Sequence, residues 1–292
     1  MRELPRPAFI VATVVVALSV TSLAPALAQT FSASKALAHV RYLSETIGVR
    51  PAGSPSEKLA ARYILEQFQA VGYQPVYESF PLPPSKRSSQ NVIATLPASA
   101  PSKGVVVLGA HYDSKSPSPG ADDNGTGVGV LLELARVLRG EPLPFTVKLV
   151  AFGSEEMIDH NKDHHHYGSR VCARRHAPRY SGDWPLVGMI SIDMVGKGSK
   201  LSVRSLGLGS DVLVRECLRS AKALGVAASY SRDPSGWSDH EAFEKAGLPV
   251  AWLERLPSPG YHTKGDTMAG LKPEYLAQAG QIVLHTLRQM AR

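Results

Sequence analysis

Five side chains of the kinds that bind divalent metals stand in order along the chain: His111, Asp123, Glu156, Asp193 and His262. Each closes a strand-like apolar run or lies in the loop after one. His111 ends VVVLGAH, and Asp123 follows twelve residues on, in GADDNGTG. Glu156 follows VKLVAFGSE, Asp193 ends LVGMISID, and His262 sits in PGYHTKGDT. Buried carboxylates and imidazoles are costly unless something pairs with them, and a divalent cation does so. Two imidazoles with three carboxylates make a borderline N/O set that suits Zn2+. The tandem Glu155-Glu156 then allows a division of labour. One carboxylate ligates, and the other handles the proton of an activated water.

The elements that must position these residues can be read from periodicity. Residues 33–47 and 56–71 read as helices. In the second, Leu59, Tyr63, Ile64, Phe68 and Val71 recur at helical spacing, Gly72 is a stop, and Ser54 with Glu57 makes a capping box. Strands are predicted over 74–81, 91–96, 103–110, 145–153, 186–193 and 250–253. Helices are predicted near 126–138, 169–176, 210–224, 239–245 and 273–290. Alternating strands and helices imply an α/β chain: a three-layer α/β/α sandwich around a mixed, mostly parallel sheet. In such sheets sites gather beyond the carboxyl ends of the strands. All five candidate ligands fall there or in a following loop.

Composition sets the bounds. The chain has 292 residues, 43% apolar and 20% charged, with a net charge of +7. That suits one large globular domain and excludes wholesale disorder. The Lys and Arg are scattered, with no basic stripe interleaved with aromatics, so nucleic acid is not an expected partner. Arg2 and Arg6 precede an uncharged apolar run over 9–23, and Ala26-Leu27-Ala28 fits the small-x-small cleavage rule. Residues 1–28 are therefore read as a signal peptide cut before Gln29, and 29–292 as the working domain. An uncleaved anchor over 8–28 is disfavoured by Pro25 and the cleavage site. A secreted or periplasmic monomer follows, with no stable membrane association after cleavage. Only Cys172 and Cys217 are present. They are too few for a disulfide framework, and a bridge or two free thiols both fit.

Taken together, the segments resemble zinc aminopeptidases of peptidase family M28. The family patterns H-x-D, D-D-N-G-x-G, G-x-E-E, I-D-M-x-G and Y-H-T-x-x-D-T occur here in that order. RPAGSPSEKLAARYI, QAVGY and NVIA extend the resemblance upstream, and SDHEAFEKAGLPV downstream. The resemblance implies two zinc ions per chain and a peptide substrate with a free N-terminus. It makes Asp123 the bridging carboxylate, joined by His111 and Asp193 on one metal and by Glu156 and His262 on the other. Glu155 becomes the general base, Tyr261 a donor to the developing oxyanion, and Asp113 the carboxylate that orients His111. Asp122 and Asp266 are expected to support the loops, and the Asp123–Asn124 bond to be cis. A Gly-rich loop at a helix start could instead cradle phosphate, but two adjacent carboxylates would repel it. Ser238-Asp239-His240 is expected to be structural, and Trp237 either lines the site or covers the core.

One departure stands out. Family members reach Gly-Ser five residues after the second Glu; here Gly168-Ser169 comes twelve after Glu156. The extra residues overlap DHNKDHHH and are expected to form a mobile flap over 157–167 that does not hold a third metal. Two rivals accompany the peptidase reading. One is a single-zinc glutaminyl cyclase of the same fold; the other is a non-catalytic binding ectodomain.

Overall fold

The computed structural model describes Met1 and residues 30–292, apart from 84 and 100. Except for Met1, the expected signal peptide lies outside the described residues. Among the described residues no helix is long and apolar enough to cross a membrane.

The strands are β1 (Val76–Pro81), β2 (Ser88–Leu96), β3 (Val105–His111), β4 (Thr146–Phe152), β5 (Leu186–Ile192), β6 (Lys200–Ser205), β7 (Ala228–Arg232) and β8 (Val250–Leu256). The helices are α1 (Ala33–Arg41), α2 (Pro55–Ala70), α3 (Gly127–Leu138), α4 (Tyr167–His176), α5 (Val212–Ala223), α6 (His240–Lys245) and α7 (Pro273–Met290). A wider π-type turn over Tyr42–Ile47 continues α1. The strands form one sheet in the order β1-β2-β4-β3-β5-β8-β6-β7. The four central strands, β4, β3, β5 and β8, run parallel. Antiparallel pairing enters at β1-β2, β2-β4 and β6-β8.

Every residue of β3 is buried. A strand covered on both faces has no polar side to show, hence the unbroken VVVLGA. Val106, Leu108 and Ala110 point into the core shared with α1, α2, α3, α5 and α7. Val105 and Val107 point into the other core, with Cys172 and Ala173 of α4 and Phe243 of α6. That is the expected three-layer sandwich. It also separates Cys172 from Cys217, each a buried free thiol on its own side of the sheet. Helix α3 sits so close to its neighbours that two glycines are required. A Cβ at Gly127 would lie 2.2 Å from the Ile192 carbonyl oxygen, and one at Gly129 2.5 Å from that of Ala36.

Two strands escape the sequence reading, β6 and β7. Both are short and partly polar, KLSVRS and ASYSR; β6 pairs with the edge that β8 offers, and β7 with the edge of β6. The same pairing carries β8 to Leu256, past the expected end at 253. The buried face of α2 also differs. Ala60, Ala61, Ile64 and Phe68 face the core, whereas Leu59 is 57% exposed. Ser54 does cap the helix, accepting from the Glu57 amide at 3.1 Å. The Glu57 carboxylate does not complete the box. It accepts instead from the Gly53 amide, the Ser89 hydroxyl and the Ser154 amide.

This placement predicts unequal truncations on one helix. Ile64→Ala should cost about 2–5 kcal/mol by transfer and cavity terms. Leu59→Ala should stay within about 0.5 kcal/mol. Denaturant unfolding of both variants checks the pair; equal losses would contradict the burial described.

Candidate metal centre

The four parallel strands end at one edge, and the candidate ligands follow them. His111 is the last residue of β3, and Asp193 is the first after β5. Glu155 and Glu156 lie just past β4, Asp123 in the loop after β3, and His262 in the loop after β8. All five expected ligands converge. The two oxygens of Asp123 face different imidazoles: Oδ1 is 3.2 Å from His111 Nε2, and Oδ2 is 3.2 Å from His262 Nε2. Asp193 Oδ1 lies 3.5 Å from His111 Nε2, and Glu156 Oε1 lies 3.1 Å from His262 Nε2. Glu155 Oε2 stands beside the first set, 3.9 Å from His111 Nε2.

These spacings fit metal ligation. Donors at about 2.0–2.1 Å around a tetrahedral ion are separated by about 3.3 Å. Asp193 Oδ1 is buried with no hydrogen-bond partner, which leaves its lone pairs for an ion. The charges point the same way. Burial disfavours an imidazolium at His111, yet the Glu155 and Asp193 carboxylates outweigh it and push its pKa well up. For His262 the same contest, against Asp123 and Glu156, ends at about 10. Burial pushes Glu155 and Glu156 up to about 7. The site thus favours added positive charge, whether as protons or as a cation.

Two further carboxylates hold the loops, each by gripping two successive backbone amides. Asp113 accepts from the amides of Glu155 (2.9 Å) and Glu156 (3.1 Å), and its Oδ1 lies 3.5 Å from His111 Nδ1. Asp266 accepts from the amides of Asp122 (2.9 Å) and Asp123 (3.1 Å). It also pairs with Lys197 at 2.9 Å. Its hydrogen bonds go to the Asp123 loop and to Lys197. Asp122 accepts from the Gly196 amide and the Ser258 hydroxyl. Asn124 donates to the Ile192 carbonyl and accepts from the Met194 amide, bracketing Asp193. The Asp123–Asn124 bond is cis.

Sequence reasoning missed the cation beneath. The Arg50 guanidinium is fully buried and donates to carbonyls including those of Tyr112, Gly48, Pro119 and Gly120. Burial lowers its pKa to about 10, with Asp113, Asp123, Asp266 and Glu156 opposing, so it stays charged at neutral pH. It was present in the RPAGSP segment, but no spacing tied it to the ligands. The insert holds another surprise. His164 turns away to Asp159 at 2.7 Å, whereas His166 is buried, with Nε2 3.0 Å from Glu155 Oε1. So the end of the expected flap is seated inside the site. Ser238, Asp239 and His240 are buried, and His240 stacks on Trp252. Among the described residues, they fall in none of the clusters close enough to share a metal ion. Trp237 lines a cavity of about 750 Å³ together with Met194, Trp252, Leu256 and Tyr261. Tyr261 stacks on the His262 ring.

The double grip of Asp113 generates a prediction. Asp113→Asn leaves one of the two amides facing an NH2 group. Metal affinity should fall about 10–100-fold, the usual cost of losing a partner that orients ligands. Competition with a chromogenic chelator measures it; unchanged affinity would refute the role.

The profile of peptidase family M28 matches residues 91–287. Aminopeptidase YwaD of Bacillus subtilis is 32% identical over 212 residues, which are 68% of this chain and 44% of that protein. The chain thus spans less than half of that relative's length. The solved structure of a zinc aminopeptidase from Bacillus subtilis superposes with a TM-score of 0.80 at 20% identity, covering 90% of this chain and 96% of that one. A glutaminyl cyclase from Porphyromonas gingivalis gives 0.76 at 24% identity, covering 89% and 99%. At such identities these two structures speak for the fold. The ordered motifs, the ligand geometry and a profile match over most of the chain agree: the chain belongs to peptidase family M28.

Proposed function

We propose that this chain is a two-zinc aminopeptidase that hydrolyses the first peptide bond of substrates with a free N-terminus. The observation carrying the reading is Asp123, whose two oxygens each face a different histidine at 3.2 Å. His111, Asp123 and Asp193 would hold one zinc, and Asp123, Glu156 and His262 the other. Such ions supply Lewis-acid polarisation of a carbonyl and a water of lowered pKa.

The protein's own part is proton handling and orientation. Glu155 is adjacent to both donor sets and belongs to neither in this assignment. It takes the proton of the attacking water and returns it to the leaving amine. Burial, the first cause, lifts it to about 7, which matches a base working near neutral pH. The Tyr261 hydroxyl donates to the oxyanion that develops on the former carbonyl. Carboxylates around the site attract the substrate ammonium. The cavity beside Met194 and Tyr261 receives the N-terminal side chain, and its aromatic wall favours large apolar residues. The leader-like residues 1–28 would send the enzyme out of the cytoplasm to meet such peptides.

A panel of aminoacyl chromogenic substrates, N-acetylated controls and N-terminal glutaminyl peptides tests this. Cleavage of the free-amine substrates alone, with two zincs per chain by elemental analysis, is the expected result. Ammonia release from glutaminyl peptides without cleavage would replace the peptidase with a cyclase, and no turnover of either would leave a binding module. Glu155→Gln should keep both metals and lose about 10²–10⁴-fold in kcat. Retained kcat or lost metal would reassign Glu155.

A further inference from the structure

We propose that His166, the last histidine of the insert, is a positioning residue that holds the general base Glu155 through a Glu241–His166–Glu155 chain. The inference rests on the peptidase reading for the role of Glu155, but the contacts stand on their own. His166 Nε2 lies 3.0 Å from Glu155 Oε1. On the other side of the ring, Nδ1 is hydrogen-bonded to Glu241 Oε2 at 2.7 Å. Glu241 is anchored in turn by Arg170 at 3.3 Å and by Lys245. The ring is 1% exposed.

The backbone makes the same connection. The His166 amide donates to the Glu155 carbonyl at 2.7 Å, and the Tyr167 amide to that of Ser154 at 2.8 Å. The insert therefore leaves β4 beside Glu155 and returns to clasp the residue it left. His166 adopts φ +52°, a left-handed conformation that non-glycine residues rarely take and that persists only where surroundings enforce it. The neighbouring His165 stacks on it with ring centres 3.7 Å apart, and Trp237 meets His165 edge-on at 6.1 Å. An imidazole built in on all sides is a rigid support.

The geometry also divides the work of the two carboxylate oxygens. Oε1 of Glu155 faces His166 Nε2 at charge-pair distance, while Oε2 is the oxygen facing His111 at 3.9 Å. Oε2 is then the oxygen on the side of the candidate ligands. Between two carboxylates His166 is stabilised as an imidazolium: burial opposes the charge, but Glu155 and Glu241 raise its pKa to about 9. Glu155 Oε1, His165 Nε2 and His166 Nε2 could alternatively gather an ion, since they lie within 4.8 Å of one another. The 3.0 Å His166–Glu155 approach favours the charge pair, and the test keeps the ion as an outcome.

His166→Ala, His166→Gln and Glu241→Gln are compared with wild type on the best free-amine substrate, with elemental analysis of each. The Gln amide can still donate to Oε1; Ala cannot. His166→Ala should lose about 10–100-fold in kcat with KM within about twofold and two metals retained, on the scale for groups that orient a working residue. His166→Gln should recover most of the loss. Glu241→Gln should fall between, and its effect should not add to that of His166→Ala. Wild-type kcat in His166→Ala, a Gln variant no better than Ala, or a third tight metal lost on substitution would each overturn the proposal. Nitrogen-15 NMR of the histidine rings supplies a readout independent of turnover. The His166 Nε2 resonance should shift in Glu155→Gln, in metal-free and metal-loaded protein alike, and an unmoved resonance would also overturn it. Should the wild type hydrolyse nothing, the peptidase reading falls, and the NMR measurement still decides the contact.

Discussion

Asp113, Asp122, Asp123, Glu155, Glu156, Asp193, Asp239 and Asp266 are each buried to 5% exposure or less along one edge of the sheet. No fold carries that much buried negative charge for nothing: each carboxylate removed from water costs several kcal/mol unless its lone pairs are met. Nearly every distinctive feature of the structure answers this demand. Arg50 and Lys197 supply fixed positive charge from below. Backbone amides at the strand ends supply aligned donors. Divalent cations between the donors would supply the rest.

Two of the carboxylates each seize a pair of amides. Asp113 and Asp266 do the same job at two places, each clamping two successive N–H groups of a ligand-bearing loop. Loops are normally soft, and metal geometry tolerates little softness. A carboxylate that spans two amides converts a loop into something close to a strand end. The division between candidate ligands and residues that hold the loops follows the same logic: Glu156 and Asp193 each keep an orphaned oxygen, while Asp113 and Asp266 have theirs met by the chain.

Much of this was legible in the sequence because the chemistry-bearing residues sit at strand ends, and strand ends are marked by apolar runs. His111 after VVVLGA and Asp193 after MISI needed no structure to place. What stayed hidden has a common cause. Arg50, Lys197 and Glu57 act through contacts with residues distant in sequence, and nothing in their local pattern reports the partner. Glu57 shows how local pattern misleads: its position three after Ser54 suggested a cap, while its carboxylate went to Ser89 and Ser154. Strands β6 and β7 were invisible for the same reason, since a polar five- or six-residue segment becomes a strand only where an edge awaits it. His166 could be suspected only from composition, because an insert of unusual length carries no register with the strands around it.

The two donor sets join His111 to His262 across 151 residues of chain, through Asp123 in between. A loop closure of that span forms late, because its entropic cost falls before any local contact rewards it. High-affinity metal capture by such a set would therefore wait until β8 has docked beside β5 and brought the His262 loop to the edge. Until then the chain presents only fragments of a site. Once bound, an ion at about a thousandfold over its dissociation constant adds about 4 kcal/mol against global opening. Metal held there would act as a stitch between the β3 and β8 ends of the sheet, and the stability of the fold would then follow the metal supply around it.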